Sequence, residues 1–208
     1  NGLEFVFDSP KSADNAVEAI RNFYQAALTY TGTGRTSTHV HVTANGFTIG
    51  MTQALVALTY LLEDALFDEV SHDRKWCGYC MPLTEMPSAR LRKVLAPSTP
   101  EEIIYGLRGE THADKYYGLN LASVWKHGSF EFRYFSGAPD AEELLSWMDY
   151  CTEIVTAARS LGAVDWFMGD RSELDVATML SHLLPNWSRK LVTAISMELI
   201  MQRLYELR

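Results

Sequence analysis

Apolar residues recur along this chain at two spacings, one typical of helices and the other of strands. Helical spacing of i, i+3, i+4 and i+7 predicts five helices, over residues 12–29, 49–69, 140–161, 172–184 and 188–207. Gly162 is expected to stop the third of them. A further helix is predicted to begin at Thr99-Pro100, because Glu102 follows three residues after the capping threonine.

Shorter apolar runs predict strands over residues 3–7, 38–43, 119–125 and 129–135. Lys126-His127-Gly128 is expected to join the last two strands as a hairpin. Strands and helices in this order predict an α+β fold, with a mostly antiparallel sheet flanked by helices. We expect an α+β domain over residues 1–162 and a helical C-terminal extension of the same domain over residues 163–208.

Composition and charge narrow the classes of function. The 208 residues are 47% hydrophobic and 21% charged, which is ordinary for a soluble globular protein. Lysine and arginine number 18 against 26 acidic residues, so the net charge is −8 and no nucleic-acid partner is expected. No run of 18 or more apolar residues occurs, so no membrane partner is expected either.

The cysteines and the first residues add two smaller expectations. Three cysteines, Cys77, Cys80 and Cys151, fit a reducing compartment. Cys77 and Cys80 form a C-x-x-C pair, for which two thiols are the default interpretation and a zinc site would need two more ligands. The chain opens at Asn1 directly into a predicted strand, and we expect that residues upstream are missing.

A pair of histidines is the first candidate site. His39 and His41 are two residues apart in a predicted strand, so both side chains lie on one face while Val40 and Val42 face the core. Two imidazoles on one face can bind a metal ion together. The alternative is a pair of exposed histidines on a solvated strand, which we favour if the motif is taken alone.

A second pair lies about ninety residues later. Glu131 and Arg133 share a strand face with Ser129, and aromatic residues occupy the other face, which is predicted to pack against helices. A metal-binding carboxylate beside a phosphate-binding arginine is the functional interpretation. A structural ion pair on the sheet is the alternative, and it is favoured if this motif stands alone.

Four segments follow one another along the chain: Leu3-Glu4-Phe5-Val6 with Ser9-Pro10, His39-Val40-His41-Val42, Lys115 to Asn120, and Gly128 to Phe135. Their order resembles that in a known family, the amidoligases of phages and bacteria within the glutamine synthetase-like carboxylate–amine ligases. Together the four segments cover roughly residues 3–160. The family's first G-x-E-x-E strand has no counterpart before Leu3, and Thr38 stands where the family has glycine. Either that strand lies upstream, or the chain is a relative with an incomplete metal site.

The resemblance implies a glutamine synthetase-like sheet and an activity. ATP would phosphorylate a carboxylate to an acyl phosphate, and an amine would then displace the phosphate. The implied cofactors are ATP and Mg²⁺, with two ions. The implied catalytic residues are Arg133 and Glu131. The implied metal ligands are Glu4, His39, His41 and Glu131. ATP would be bound by Arg133, Lys115 and His41, and the substrates by Lys115 and Asn120.

The expected partners are a small-molecule or peptide carboxylate and an amine, with a homo-oligomer or a virion partner as further expectations. The expected location is the cytoplasm of a bacterial or phage-infected cell, or the virion. Two other functions stay open. One is a non-catalytic relative with a structural or interaction role, for instance in a phage particle. The other is a metal-dependent hydrolase that uses two histidines and a carboxylate.

Overall fold

The computed structural model describes residues 12–26, 36–70, 75, 78–96, 99–108, 116–137, 140–186 and 196–208. Within these residues it has nine α-helices and three strands. The helices are α1 (Ala13–Ala26), α2 (Ile49–Val70), α3 (Ser88–Leu95), α4 (Pro100–Arg108), α5 (Ser123–His127), α6 (Ala141–Leu161), α7 (Asp165–Met168), α8 (Glu173–Leu183) and α9 (Met197–Leu207). The strands are β1 (Val40–Thr43), β2 (Leu119–Asn120) and β3 (Ser129–Phe132).

The strands form one small antiparallel sheet in the order β1-β3-β2. In the middle of this sheet, Glu131 lies opposite His41 on one side and opposite Asn120 on the other. The α+β class is therefore confirmed, with more helix and less sheet than the sequence indicated. The glutamine synthetase-like topology stays a prediction, and so does the division at residue 162. The strand predicted over residues 3–7 lies outside the described residues.

The core lies between the sheet and two long helices. Fifteen of the 22 residues of α2 are buried, and α6 packs along it. The aromatic side chains of β3, Phe130 and Phe132, are buried, and just beyond the strand the Tyr134 ring lies 5.0 Å from Phe67 and 6.1 Å from Trp147, so the aromatic run packs on these helices as predicted. Burying one such side chain stabilises the fold by about 2 kcal/mol. In the part of the chain that the structure describes, no helix is long and apolar enough to cross a membrane.

The helix ends follow the capping residues found in the sequence. Asp140 accepts a hydrogen bond from the Glu143 N–H (2.9 Å), and α6 ends at Gly162, which has a φ of 73°. At the start of α4, the Thr99 N–H donates to the Glu102 carboxylate (3.0 Å) and the Glu102 N–H donates to the Thr99 hydroxyl (3.3 Å). These predictions are confirmed because capping depends on neighbouring residues alone.

The strand predicted over residues 119–125 is wrong beyond Asn120. The Asn120 side-chain oxygen accepts the Ala122 N–H (3.0 Å), which turns the chain out of the sheet. The short helix α5 follows and ends at Gly128, whose φ of 65° suits glycine. The predicted hairpin is therefore also wrong, since β2 and β3 pair as neighbours but are joined by a helix.

Residues 40–43 of the predicted strand 38–43 pair with residues 129–132 of the predicted strand 129–135, and beyond Phe132 the second segment contains an extra residue. Val40 lies opposite Phe132, while Ser37 lies opposite Ser136, so three residues (133–135) oppose two. This is a β-bulge, and it ends the regular strand at Phe132. Tyr134 and Phe135 both become buried as a result, where strict alternation would have put them on opposite faces.

The C-terminal helices pack against the same core. Arg203 of α9 donates to the carbonyl oxygens of Tyr60 and Leu61 (3.2 Å each) and pairs with Asp64. Tyr60 also donates to Glu206 (2.5 Å). Buried polar contacts of this kind fix α9 in one position on α2. Residues 187–195, which include the first part of the helix predicted over 188–207, lie outside the described residues.

Candidate functional site

The sheet brings a buried carboxylate and several donors together. The Glu131 Oε1 lies 2.9 Å from the His39 Nδ1 and 2.6 Å from an Arg133 guanidinium nitrogen. Its Oε2 accepts a hydrogen bond from the Asn120 amide at 2.5 Å. Both oxygens of Glu131 are therefore held by side chains that the sequence had singled out.

These donors decide the charge of Glu131. Burial is the largest single influence and acts to raise the pKa of the carboxyl. The hydrogen bond from His39, the charge of Arg133 and the hydrogen bond from Asn120 outweigh it and lower the pKa of Glu131 to about 2. Glu131 is thus ionised at neutral pH, and Arg133 balances its charge.

His41 lies in β1 opposite Glu131, two residues after His39, which contacts Glu131 directly. Its Nδ1 lies 2.9 Å from the Ser129 hydroxyl and 3.2 Å from the Ser123 hydroxyl. Burial, followed by the nearby positive groups, lowers the pKa of His41 against the opposing effect of Glu131. A neutral imidazole held through Nδ1 would meet a ligand with its Nε2.

Arg133 is held in the bulge by contacts on three sides. Its backbone N–H donates to the Gly118 carbonyl (2.7 Å), and its Nε lies 3.4 Å from the Tyr79 carbonyl oxygen. Its guanidinium lies over the Tyr116 ring, 5.5 Å from the centroid. These contacts hold the guanidinium beside Glu131.

A second buried carboxylate supports this arrangement from the core side. Glu63 of α2 accepts hydrogen bonds from the Leu83 and Thr84 N–H groups (2.7 Å each) and from the Tyr134 hydroxyl (2.9 Å). A side chain at Gly118 would collide with the Tyr134 ring, at 2.2 Å from its Cζ. Gly118 therefore lets the segment that holds Arg133 lie directly on Tyr134.

Several of these supporting residues could not be picked out from the sequence. Glu63 carries only a partial signal, because it directly follows the apolar residues of α2 but has a second carboxylate, Asp64, beside it. Ser123 and Ser129 carry no signal of their own. His127, which the sequence placed in a hairpin turn, is at the end of α5, and its ring lies 5.5 Å from the His41 ring. His127 lies beside His41 because the turn at Asn120 leads the chain into α5, which the sequence did not predict.

Of the predicted site residues, the structure brings together His39, His41, Asn120, Glu131 and Arg133. Glu4 and Lys115 lie outside the described residues, so their roles stay predictions. Among the residues that are described, no three histidine, cysteine, aspartate or glutamate side chains are placed to hold a metal ion. Cys80 and Cys151 are buried, and Cys77 lies outside the described residues.

A groove elsewhere on the molecule is chemically less suited to be the site. It encloses about 560 Å³ beside the start of α2 and is lined by residues that include Arg92, Asp165 and Arg208. The two arginines already donate to backbone carbonyl oxygens there, Arg92 to Glu206 and Arg208 to Gly169. The cluster around Glu131 is therefore the better candidate site.

A comparison with protein families identifies the family of the chain. The model of a family described as "Putative amidoligase enzyme" matches residues 8–155, most of the chain. The chain belongs to this amidoligase family. A search of curated proteins and a search of solved structures found no match.

The match to the amidoligase family covers all five clustered residues and includes Lys115. It begins after Glu4 and ends within α6, so the helices from α7 onward lie outside it. The family description is that of a ligase. The resemblance found in the order of the sequence motifs is thereby confirmed at the level of the family.

Proposed function

We propose that the protein is an ATP-dependent carboxylate–amine ligase that works through an acyl phosphate. A carboxylate oxygen of the substrate attacks the γ-phosphorus of ATP, and ADP leaves. The nitrogen of the amine then attacks the acyl carbon, loses a proton, and displaces inorganic phosphate to leave an amide. The observation that carries this proposal is Arg133, fixed against the buried Glu131 in a member of an amidoligase family.

The geometry of Arg133 suits a phosphoryl group. A guanidinium has five N–H donors in a fixed plane, and contacts with Glu131 and Tyr79 use only part of them. The remaining donors can face phosphoryl oxygens while Glu131 and the Tyr116 ring fix the plane. A donor aimed in this way at developing charge typically contributes about 3 kcal/mol to transition-state stability.

The described residues do not by themselves fit a resident Mg²⁺ ion. Mg²⁺ prefers several oxygen ligands, and imidazole suits transition metals better. The described cluster offers one carboxylate, Glu131, whose two oxygens already face three donor groups. We therefore treat Mg²⁺ as part of the MgATP substrate, whose phosphates bring their own oxygens. Two ions held partly by Glu4, His39 and His41 stay a prediction.

The roles of Asn120 and His41 rest on their positions, and that of Lys115, which lies outside the described residues, rests on the family resemblance. Asn120 holds Glu131 through its side-chain amide, so we assign it to keeping the carboxylate in place beside the substrate. His41 is assigned to the nucleotide phosphates or to a metal ion, and Lys115 to a phosphate or to the substrate carboxylate. The substrates are a small-molecule or peptide carboxylate and an amine. A cytoplasmic or virion location and a homo-oligomer stay predictions.

A binding and turnover experiment tests the role of Arg133. Titration calorimetry with MgATP, and ATP turnover with carboxylate and amine donors present, compare the wild type with Arg133→Ala. We expect turnover to fall by about 100-fold or more. The matched control is Arg159→Ala, since Arg159 also lies over an aromatic ring (Phe47, 5.0 Å) but is exposed and outside the cluster. Equal binding and turnover in Arg133→Ala and the wild type would contradict the proposal.

The second candidate is a non-catalytic relative. The observation in its favour is that three donors satisfy Glu131, as the structural ion-pair interpretation expects. This candidate predicts that Arg133→Ala lowers stability while the wild type neither binds nor hydrolyses MgATP. A metal-dependent hydrolase, in contrast, predicts bound Zn²⁺ or Mn²⁺ by mass spectrometry and turnover that needs no nucleotide.

A further inference from the structure

An aromatic side chain projects from the surface next to Arg133. The side chain of Tyr79 is 60% exposed, and its ring packs edge-on against the Tyr116 ring, with centroids 5.6 Å apart. The Tyr116 ring in turn lies against the Arg133 guanidinium at 5.5 Å. The surface therefore presents a guanidinium, a partly buried ring and an exposed ring in one continuous contact.

Main-chain hydrogen bonds hold this row in place. The Met81 N–H donates to the Tyr116 carbonyl (2.7 Å), and the Gly118 N–H donates to the Met81 carbonyl (2.9 Å). The Tyr79 carbonyl oxygen lies 3.4 Å from the Arg133 Nε. A single exposed tyrosine is unremarkable on a protein surface. Tyr79 differs because its ring and its backbone both belong to the network that orients Arg133.

We propose that Tyr79 stacks on the base of the nucleoside triphosphate whose phosphates meet Arg133. This inference rests on the proposed function and adds the base-binding part of the same site. A nucleotide carries an anion and a planar ring joined by a flexible sugar-phosphate linker, which matches a guanidinium and an exposed ring on one rigid surface. The edge-on contact with Tyr116 covers only part of the Tyr79 ring. The rest of the ring surface can therefore contact a second aromatic ring.

Stacking also sets the specificity that this contact can give. Every nucleobase has an aromatic face, and stacking on a side chain depends little on its identity. Tyr79 is therefore expected to strengthen ATP and GTP binding by similar factors. Discrimination between the two bases would come from other residues of the protein.

The experiment separates the base from the phosphates. Titration calorimetry on the full chain uses Mg-ATP and Mg-tripolyphosphate as the two probes. For Tyr79→Ala we expect ATP affinity to fall about tenfold, towards that of tripolyphosphate, while tripolyphosphate affinity does not change. Tyr79→Phe keeps the ring and is expected to bind ATP as the wild type does. The control is Tyr105→Ala on α4, whose side chain is 63% exposed.

The outcomes distinguish this inference from the proposed function. If Arg133→Ala weakens both probes and Tyr79→Ala weakens neither, the inference is wrong and the proposed function stands. If the wild type binds neither probe, both are wrong. If Tyr79→Ala weakens both probes equally, the residue acts on the phosphate part through Arg133, and the stacking role is rejected.

Discussion

Two glutamates, Glu131 and Glu63, are both buried but differ in their partners and in the pKa of their carboxyls. Their side chains lie on opposite sides of the segment formed by residues 131–134. Residues 131–134 supply both contacts: Arg133 pairs with Glu131 on the polar side, and Tyr134 donates to Glu63 in the core. Glu131 has charged and polar side-chain partners, and the pKa of its carboxyl falls to about 2. Among the described residues, the donors to Glu63 are all neutral, and burial raises the pKa of its carboxyl to about 7.

The difference shows that partners, and not burial alone, decide what a buried carboxylate can do. The two backbone N–H groups and the tyrosine hydroxyl at Glu63 satisfy its oxygens but cannot offset the loss of water around a full charge. At Glu131, the hydrogen bond from His39, the charge of Arg133 and the hydrogen bond from Asn120 together offset that loss. We therefore interpret Glu131 as a fixed anion that orients a cation, and Glu63 as a support that joins α2 to the segments around Arg133.

Of the substitutions that test this comparison, the removal of Glu131 is expected to change the free energy of unfolding most. Glu131→Ala leaves Arg133 and His39 facing each other without a counter-charge in a mostly buried position. We expect the free energy of unfolding to fall by about 3 kcal/mol, because an uncompensated buried charge is costly. Urea denaturation measures the change.

The control is Glu142→Ala, which removes the partner of Arg21 (3.0 Å) from an exposed ion pair. Its cost is expected to be below about 1 kcal/mol. Similar losses in the free energy of unfolding for the two alanine variants would mean that the Glu131 cluster contributes no more than a surface ion pair. The contrast between Glu131 and Glu63 would then be contradicted.

The cluster around Glu131 could largely be predicted from the sequence. Side-chain direction in a strand repeats every two residues, so the shared face of His39 and His41 and the pairing of Glu131 with Arg133 follow from local geometry. The opposition of His41 and Asn120 to Glu131 does not, since strand register joins segments far apart in the chain. The family resemblance supplied that grouping.

The contacts of Glu63 in the core could not be predicted. Glu63 meets its partners from the short 3₁₀ helix Leu83–Glu85 and from Tyr134, and no local pattern links these segments. The bulge at residues 133–135 was also hidden, because the apolar run reads as an uninterrupted strand. The helix α5 was missed because a side-chain contact of Asn120 overrides the apolar residues that follow it.

The two carboxyls are expected to change stability with pH in opposite directions. The pKa of Glu63 rises from 4.5 to about 7 on folding, so the folded state holds this proton more tightly. Its stabilising contribution is complete below pH 4.5 and is lost as the pH rises through 7, by up to about 3 kcal/mol. The pKa of Glu131 falls to about 2, so its contribution is present above pH 4.5 and is lost as the pH falls through 2.

Urea denaturation between pH 4.5 and 7.5 in metal-free buffer tests the Glu63 half. The variant Glu63→Gln cannot titrate, so its free energy of unfolding is expected to lack the decline that the wild type shows in this range. Parallel profiles for the two proteins would show that Glu63 keeps an ordinary pKa, and the difference between the two glutamates would then be one of position alone.

The smallest expected effect comes from a single hydroxyl. Tyr134→Phe removes the hydrogen bond to Glu63 (2.9 Å), and we expect a loss of about 1 kcal/mol in the free energy of unfolding. Because that hydrogen bond lowers the pKa of Glu63, its loss also moves the midpoint of the pH-dependent decline upward. The control is Tyr60→Phe, which removes a hydrogen bond to Glu206 from the same helix α2. A midpoint that shifts equally in both variants would mean that Tyr134 acts on Glu63 only through general packing.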